Sequence, residues 1–153
     1  MNYYIYKPVS SSPTRPMIRL LELLPGLPSQ PIRCRLHSVP LLGKYEYEAL
    51  SYCWGDMRAT AEVICDAARL NITTNLHQAL CQLRSNSFSR TLWVDAICIS
   101  QDDHNEKNEQ VAQMRKIYHL SQKVVIWLSE EDHNSQLALS CASHCSIVLA
   151  API

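Results

Sequence analysis

Hydrophobic and polar positions divide the chain into a succession of short elements. Ile18-Arg19-Leu20-Leu21-Glu22-Leu23-Leu24 is a compact apolar segment, stopped by Pro25-Gly26 and by the loop from Pro28 to Pro31. Ile32, Cys34 and Leu36 then alternate with Arg33, Arg35 and His37, a period of two that predicts a half-exposed strand with one basic face. Residues 45–53 predict a further strand, rich in β-favouring aromatics and broken by Trp54-Gly55-Asp56. Glu62-Val63-Ile64-Cys65 and Arg69-Leu70-Asn71-Ile72-Thr73 flank Asp66-Ala67-Ala68 and predict a hairpin, although the turn lacks Asn-Gly or Asp-Gly. Asn75 is positioned to cap a helix with Gln78 three residues on and an apolar stripe of Leu76, Ala79, Leu80 and Leu83. Leu92 to Ala96 is the next strand.

A second, clearer helix starts at Asp103. Asp103 and Glu106 fit a capping box, and Val111, Met114, Ile117 and Tyr118 form its expected buried face. Lys123-Val124-Val125-Ile126-Trp127-Leu128 is continuously apolar, which places it centrally in a sheet. Ser129 to Ser135 reads as a loop and Leu137 to Leu149 as a last helix. Residues 1–17, with three prolines and Ser10-Ser11-Ser12, read as a flexible N-terminal arm. Strands alternating with helices give an α/β fold with a mostly parallel central sheet, flanking helices and an added β-hairpin.

Two blocks carry candidate chemistry. Tyr47 to Asp56 and Thr91 to Asp102 are both strands that run into turns bearing a Trp and an Asp. Open α/β sheets bind ligands at the carboxyl ends of their strands, so the two blocks together suggest one shared site or interface. Its candidates are Ser51, Trp54, Gly55, Asp56, Trp93, Asp95, Gln101 and Asp102. An indole there can stack a ring or anchor an interface. Packing into the core is the favoured reading for Trp93, because strand alternation points it inward. Asp56 and Asp95 either hydrogen-bond a ribose or form turns with their own backbone. Glu48 is the carboxylate named first as a catalytic acid or base, against a plain solvated strand position.

Composition narrows the classes. At 153 residues the chain suits one domain, burying roughly 68–70% of its unfolded surface. Fourteen basic residues balance fourteen acidic ones without a Lys/Arg run, so no general grip on nucleic acid is expected. No apolar run approaches the ~20 residues that span a bilayer, and no secretory signal opens the chain. The cytoplasm is the expected compartment. Seven widely spaced cysteines without a Cys-x-x-Cys pair read as small buried hydrophobes in a reducing compartment. Cys98 with His104 is therefore a buried thiol rather than a nucleophile and base. Cys141, His144 and Cys145 make a poor zinc pattern, and no metal site is expected.

The blocks resemble the fungal heterokaryon-incompatibility (HET) domain, whose pattern runs YEALSYxWGD, NLxxALxxLR, LWVDAICINQxD, QVxxMxxIY and VxVWLG. The matches are Tyr47 to Asp56, Asn75 to Arg84, Leu92 to Asp102, Gln110 to Tyr118 and Val124 to Leu128. Cys53 departs from the usual Val, Ser100 from Asn, and Ser129 from Gly. The HET domain is expected over residues 18–145, with 146–153 as the tail of a truncated copy. The resemblance implies fungal non-self recognition and programmed cell-death signalling, by self-association or with other incompatibility proteins as partners. A weaker likeness to TIR domains implies a flavodoxin-like sheet and, as an alternative, cleavage of NAD, here a substrate and not a cofactor. That chemistry needs a helix glutamate, where Cys141 stands instead.

Overall fold

The computed structural model describes residues 1–128 and the backbone of residues 147–150. Eight strands form one sheet: β1 (Met17–Leu23), β2 (Arg33–Pro40), β3 (Glu48–Tyr52), β4 (Thr60–Cys65), β5 (Ala68–Thr73), β6 (Arg90–Trp93), β7 (Lys123–Trp127) and β8 (Ile147–Ala150), in the spatial order β5-β4-β2-β1-β6-β3-β7-β8. Among the described residues three helices join them: α1 (Thr74–Leu83), α2 (Asp95–Cys98) and α3 (His104–Leu120).

The sheet is mixed, which corrects the mostly parallel expectation. β6, β3, β7 and β8 form a parallel block, whereas β1 is antiparallel to both β2 and β6, and β4 is antiparallel to β5. β2 and β4 also pair in parallel. The short connections after β1 and β4 return the chain antiparallel, while the parallel neighbours of β3, which are β6 and β7, are reached through connections that carry helices. The block is α/β; a TIR-like or flavodoxin-like arrangement of the whole sheet is not what these pairings form.

β1 shows why the apolar segment after residue 17 is a strand: Ile18, Leu20, Leu21 and Leu23 are all buried. Its polar member, Arg19, is buried too. Its guanidinium forms a two-pronged ion pair with Glu106 and donates to the carbonyls of Cys98 (3.1 Å) and Lys7 (2.6 Å). Such a pair is tolerated inside a core only when its remaining donors and acceptors are met, as they are here. β2 keeps the expected alternation, with Cys34 buried between exposed Arg33 and Arg35. The β4–β5 hairpin forms as expected, but through Asp66 and Ala67, both left-handed at φ 48° and 63°. Two consecutive positive φ values are the signature of the tight turn whose twist suits a hairpin.

The helices depart in detail. Thr73, not Asn75, caps α1, accepting from the Leu76 amide. The strand expected over residues 92–96 ends at Trp93, and Asp95–Cys98 coil into α2. Asp103 caps α3 as expected, accepting from the amides of Asn105 and Glu106. Glu106 does not reach back. Its carboxylate takes Arg19 and the Ser100 amide instead. Val111 is 51% exposed, and the buried positions of α3 are Glu106, Gln110 and Ile117. Of the expected face, Ile117 is buried and Met114 and Tyr118 pack against the core; only Val111 is misplaced, and Gln110 beside it turns inward to bond the Met17 carbonyl (2.8 Å).

The first residues lie against the fold instead of hanging free. Tyr4 and Asn2 exchange backbone hydrogen bonds with Arg69 of β5, and the Tyr6 hydroxyl donates to the Ile97 carbonyl (2.8 Å). Tyr6 also places its ring over the Arg19 guanidinium at 5.1 Å, a cation–π contact. β7 lies between β3 and β8, one place in from the sheet edge. The helix expected over residues 137–149 falls largely outside the described residues, and Ile147 to Leu149 belong to β8.

Candidate functional site

β3, β6 and β7 run side by side in one direction, so their carboxyl ends meet at one edge of the sheet. Register fixes the neighbours: Ala49 faces Trp93, and Tyr52 faces Trp127. Just past these ends stand Trp54, Asp95 and the start of α1, and the structure ties them together. The Trp54 indole N–H donates to Asp95 Oδ2 at 3.1 Å. Asn75 donates its amide to the Cys53 carbonyl and accepts the Trp127 indole N–H at 2.9 Å. Thus the turn after β3 is held from two sides, by β6 through Asp95 and by α1 and β7 through Asn75.

Asp95 is the most unusual group of this cluster. Burial pushes its carboxyl pKa above the ordinary carboxylate range, against the Ala96 amide (2.7 Å), the Trp54 indole and the charge of Lys107, which favour the ionised form. Tyr52 lies beside it. Its buried hydroxyl makes no hydrogen bond of ordinary geometry, yet burial and the nearby Asp95 charge raise its pKa far above that of a free phenol. Tyr118 is raised in the same way, first by burial and then by Asp95. A half-buried carboxylate, an indole and a buried phenol thus lie together at this edge, while the Tyr118 hydroxyl donates to the Leu50 carbonyl (3.2 Å) and senses Asp95 through its charge.

The other residues named from the sequence divide into those that support this edge and those that do not reach it. Gln101 folds its side-chain amide onto the carbonyls of Asp95 (3.0 Å) and Ile99 (3.2 Å), which ties down the far end of α2. Gly55 has φ 70°, the conformation that lets the chain turn sharply after Trp54. Asp56 bonds the Arg58 amide (2.9 Å) and its guanidinium (3.3 Å), and so forms its own turn at the surface. Asp102 is exposed beyond α2, and Ser51 is half-buried in β3. Trp93 has no exposed surface and packs edge-on against Tyr118 with ring centres 5.5 Å apart. It can neither stack a ligand nor meet a partner. The turn from Met57 to Ala59 is exposed, and Met57 itself is 57% exposed.

Glu48 stands at the opposite end of β3, so the structure separates it from Trp54 and Asp95. It is neither solvated nor available. Its carboxylate is paired with Arg90 and with Lys123 (2.7 Å). Burial alone would raise its pKa, but the hydrogen bonds and charges of Lys123 and Arg90 outweigh that and hold it below the usual range. A carboxylate clamped in its ionised form by two cations makes a poor general acid or base. What the structure shows of Glu48 is a structural part, joining β3 to β6 through Arg90 and to β7 through Lys123.

Cys98 is a buried thiol, its pKa pushed up to about 12 by burial, and His104 is exposed at the start of α3. Among the described residues no group of three or more His, Cys, Asp or Glu side chains could hold a metal ion, and no helix is long and apolar enough to cross a membrane. Cys141, His144 and Cys145 lie outside the described residues.

Sequence reasoning missed the role of Asn75, Tyr52 and Arg19. The repeated indoles Trp54 and Trp127 were the available signal for Asn75, since buried indole N–H groups need acceptors. Nothing local pointed to which acceptor each would find.

Comparison with known proteins agrees with the order of these blocks. The family model described as "Heterokaryon incompatibility protein (HET)" matches residues 47–147, more than half of the chain. The chain is also 36% identical over 141 residues to "Heterokaryon incompatibility protein 6, OR allele" of Neurospora crassa, a match covering 83% of this chain. The chain spans 21% of that relative's length. No solved structure matches.

Proposed function

The chain belongs to the heterokaryon-incompatibility (HET) family, and we propose that it serves fungal incompatibility as a contact module, signalling by binding a second copy or a partner protein through the turn after β3. The observation that carries this reading is the Trp54 turn itself. It is anchored at two points, by Asp95 and by Asn75, while leaving Trp54 half-exposed and Met57 open to solvent. A preordered aromatic with an adjacent flexible apolar side chain suits a protein interface, because little conformational entropy is lost on docking. The clamped state of Glu48 supports contact over catalysis.

Overexpression of the chain in a fungal host is expected to arrest growth, and Trp54→Ala to weaken the arrest while the protein stays folded. A stably folded, well-expressed chain that leaves growth unchanged would overturn the reading.

One observation favours a second reading, cleavage of NAD or a related nucleotide. Asp95 is a partly desolvated carboxylate beside an indole at the sheet edge where nucleotides bind in open α/β folds. Purified protein incubated with NAD should then release nicotinamide, and Asp95→Asn should abolish the release. Equal release from both proteins, or none from either, removes this alternative.

A further inference from the structure

We propose that Cys34 and Cys65 form an oxidisable dithiol site, which a small oxidant of the peroxide class converts to a disulfide across β2 and β4. The two residues are direct partners in the parallel pairing of these strands. Paired residues on neighbouring strands project to the same face, and their strands lie roughly 4.8 Å apart. That spacing falls within the range of about 4.4–6.8 Å that a disulfide requires between Cα atoms. Both thiols are reduced in the structure, and they are 2% and 0% exposed. The Cys34 thiol donates to the Ile64 carbonyl (3.7 Å) and the Cys65 thiol to Asp66 Oδ2 (4.0 Å).

A cavity of about 440 Å³ opens beside the seam, lined by Arg33, Arg35, Ile64 and Asp66 among others. Arg33 and Arg35 alternate with Cys34 along β2, so the two sulfurs lie on the opposite, buried face of the sheet. In the first step one of the two sulfurs loses its proton and bonds to one peroxide oxygen; the O–O bond breaks and the other oxygen leaves as water. In the second, the other sulfur displaces the hydroxyl of the resulting sulfenic acid as a second water. Two thiols are oxidised and one peroxide is reduced to two waters. Contact with Cys65 and burial raise the Cys34 pKa, so the thiolate is scarce and the site answers sustained oxidant, not a brief pulse.

The consequence lies in where the bond forms. β2 and β4 are joined at only two paired positions, Arg33 with Ile64 and Cys34 with Cys65, and this short seam attaches the β4–β5 hairpin to the rest of the sheet. A disulfide there closes a loop of about thirty residues and should raise the melting temperature by about 10 °C.

The full chain should be exposed to graded hydrogen peroxide at mildly alkaline pH, alkylated and digested. The expected result is a loss of about 2 Da, a peptide linking Cys34 to Cys65, the rise in melting temperature, and reversal of all three by dithiothreitol. Cys65→Ala should abolish the crosslink and leave a sulfenic acid on Cys34 that dimedone traps. Cys98→Ala removes a buried thiol outside the pair and should leave the crosslink intact. Should either variant fail to fold, the peptide map of the unaltered chain decides alone. Linkage of a different pair, irreversible addition of oxygen at Cys34, or no reaction short of unfolding would each overturn the proposal. None of these outcomes depends on growth arrest or on nicotinamide release.

Discussion

The two ends of the parallel block each hold a partly buried carboxylate, and they treat it in opposite ways. At the amino end, Glu48 is gripped by Arg90 and Lys123, which outweigh its burial and keep it ionised. At the carboxyl end, Asp95 meets an indole N–H and a backbone amide, with Lys107 acting only through its charge, and burial prevails. Compensated charge is spent on holding strands together. Charge left under-compensated keeps an unfavourable desolvation that a ligand or partner can relieve, so the carboxyl end is where recognition is to be sought.

The largest test concerns the scaffold of the carboxyl end. Trp127 is 2% exposed and reaches Asn75, which in turn holds the Cys53 carbonyl. Trp127→Ala should cost about 3–5 kcal/mol in urea unfolding and loosen the Trp54 turn. A cost of a few tenths would mean that β7 is peripheral and the edge is not built on it. At the amino end, Glu48→Gln should cost about 1.5–3 kcal/mol at pH 7, the scale of hydrogen bonds to a charged group. Its folded pKa is depressed below the ordinary glutamate value of 4.5, so this contribution is present above pH 4.5 and fades as pH falls through the folded value. A wild-type minus variant difference that stayed constant from pH 7 down to pH 3 would contradict the clamp.

Ala67→Gly supplies a reference remote from both ends. It relieves a left-handed φ of 63° at a side chain that disfavours it, and should stabilise by about 1 kcal/mol without altering either pH profile. A destabilised variant would show that the turn is not left-handed at this position. The smallest expected change is at Asp95. Its folded pKa is raised, so the folded state gains stability when pH falls and loses it as pH rises through that pKa. Asp95→Asn cannot ionise and should be equal to or more stable than the wild type at pH 7, by under about 1 kcal/mol, and lose that advantage near pH 3.5. Marked destabilisation at pH 7 would show that Asp95 is compensated after all and erase the contrast with Glu48.

Much of this is legible in the sequence. The alternation Ile32-Cys34-Leu36 gave β2, the run from Lys123 gave β7, and Asp103 announced α3, because each signal is written within a few residues. Trp54 and Asp95 could be proposed as neighbours, since two strand-to-turn blocks of the same shape implied a common edge, and they are bonded. Where reading failed, a distant partner had overridden a local pattern. Val111 lies in a stripe that ought to be buried, but Gln110 and Glu106 take the interior because Met17 and Arg19 await them there.

The sequence by itself determined the order and type of most elements up to β7, though not α2 or β8, together with the hairpin, the family and the candidates at the carboxyl edge. Only the tertiary structure decided that Glu48 is clamped at the far end, that Asn75 is a brace and not a cap, and that Cys34 faces Cys65. Period, caps and turns depend on interactions within a turn or two of chain, whereas these contacts follow from strand order and register. Strand order is set by how eight strands share one core, and no segment carries that information alone.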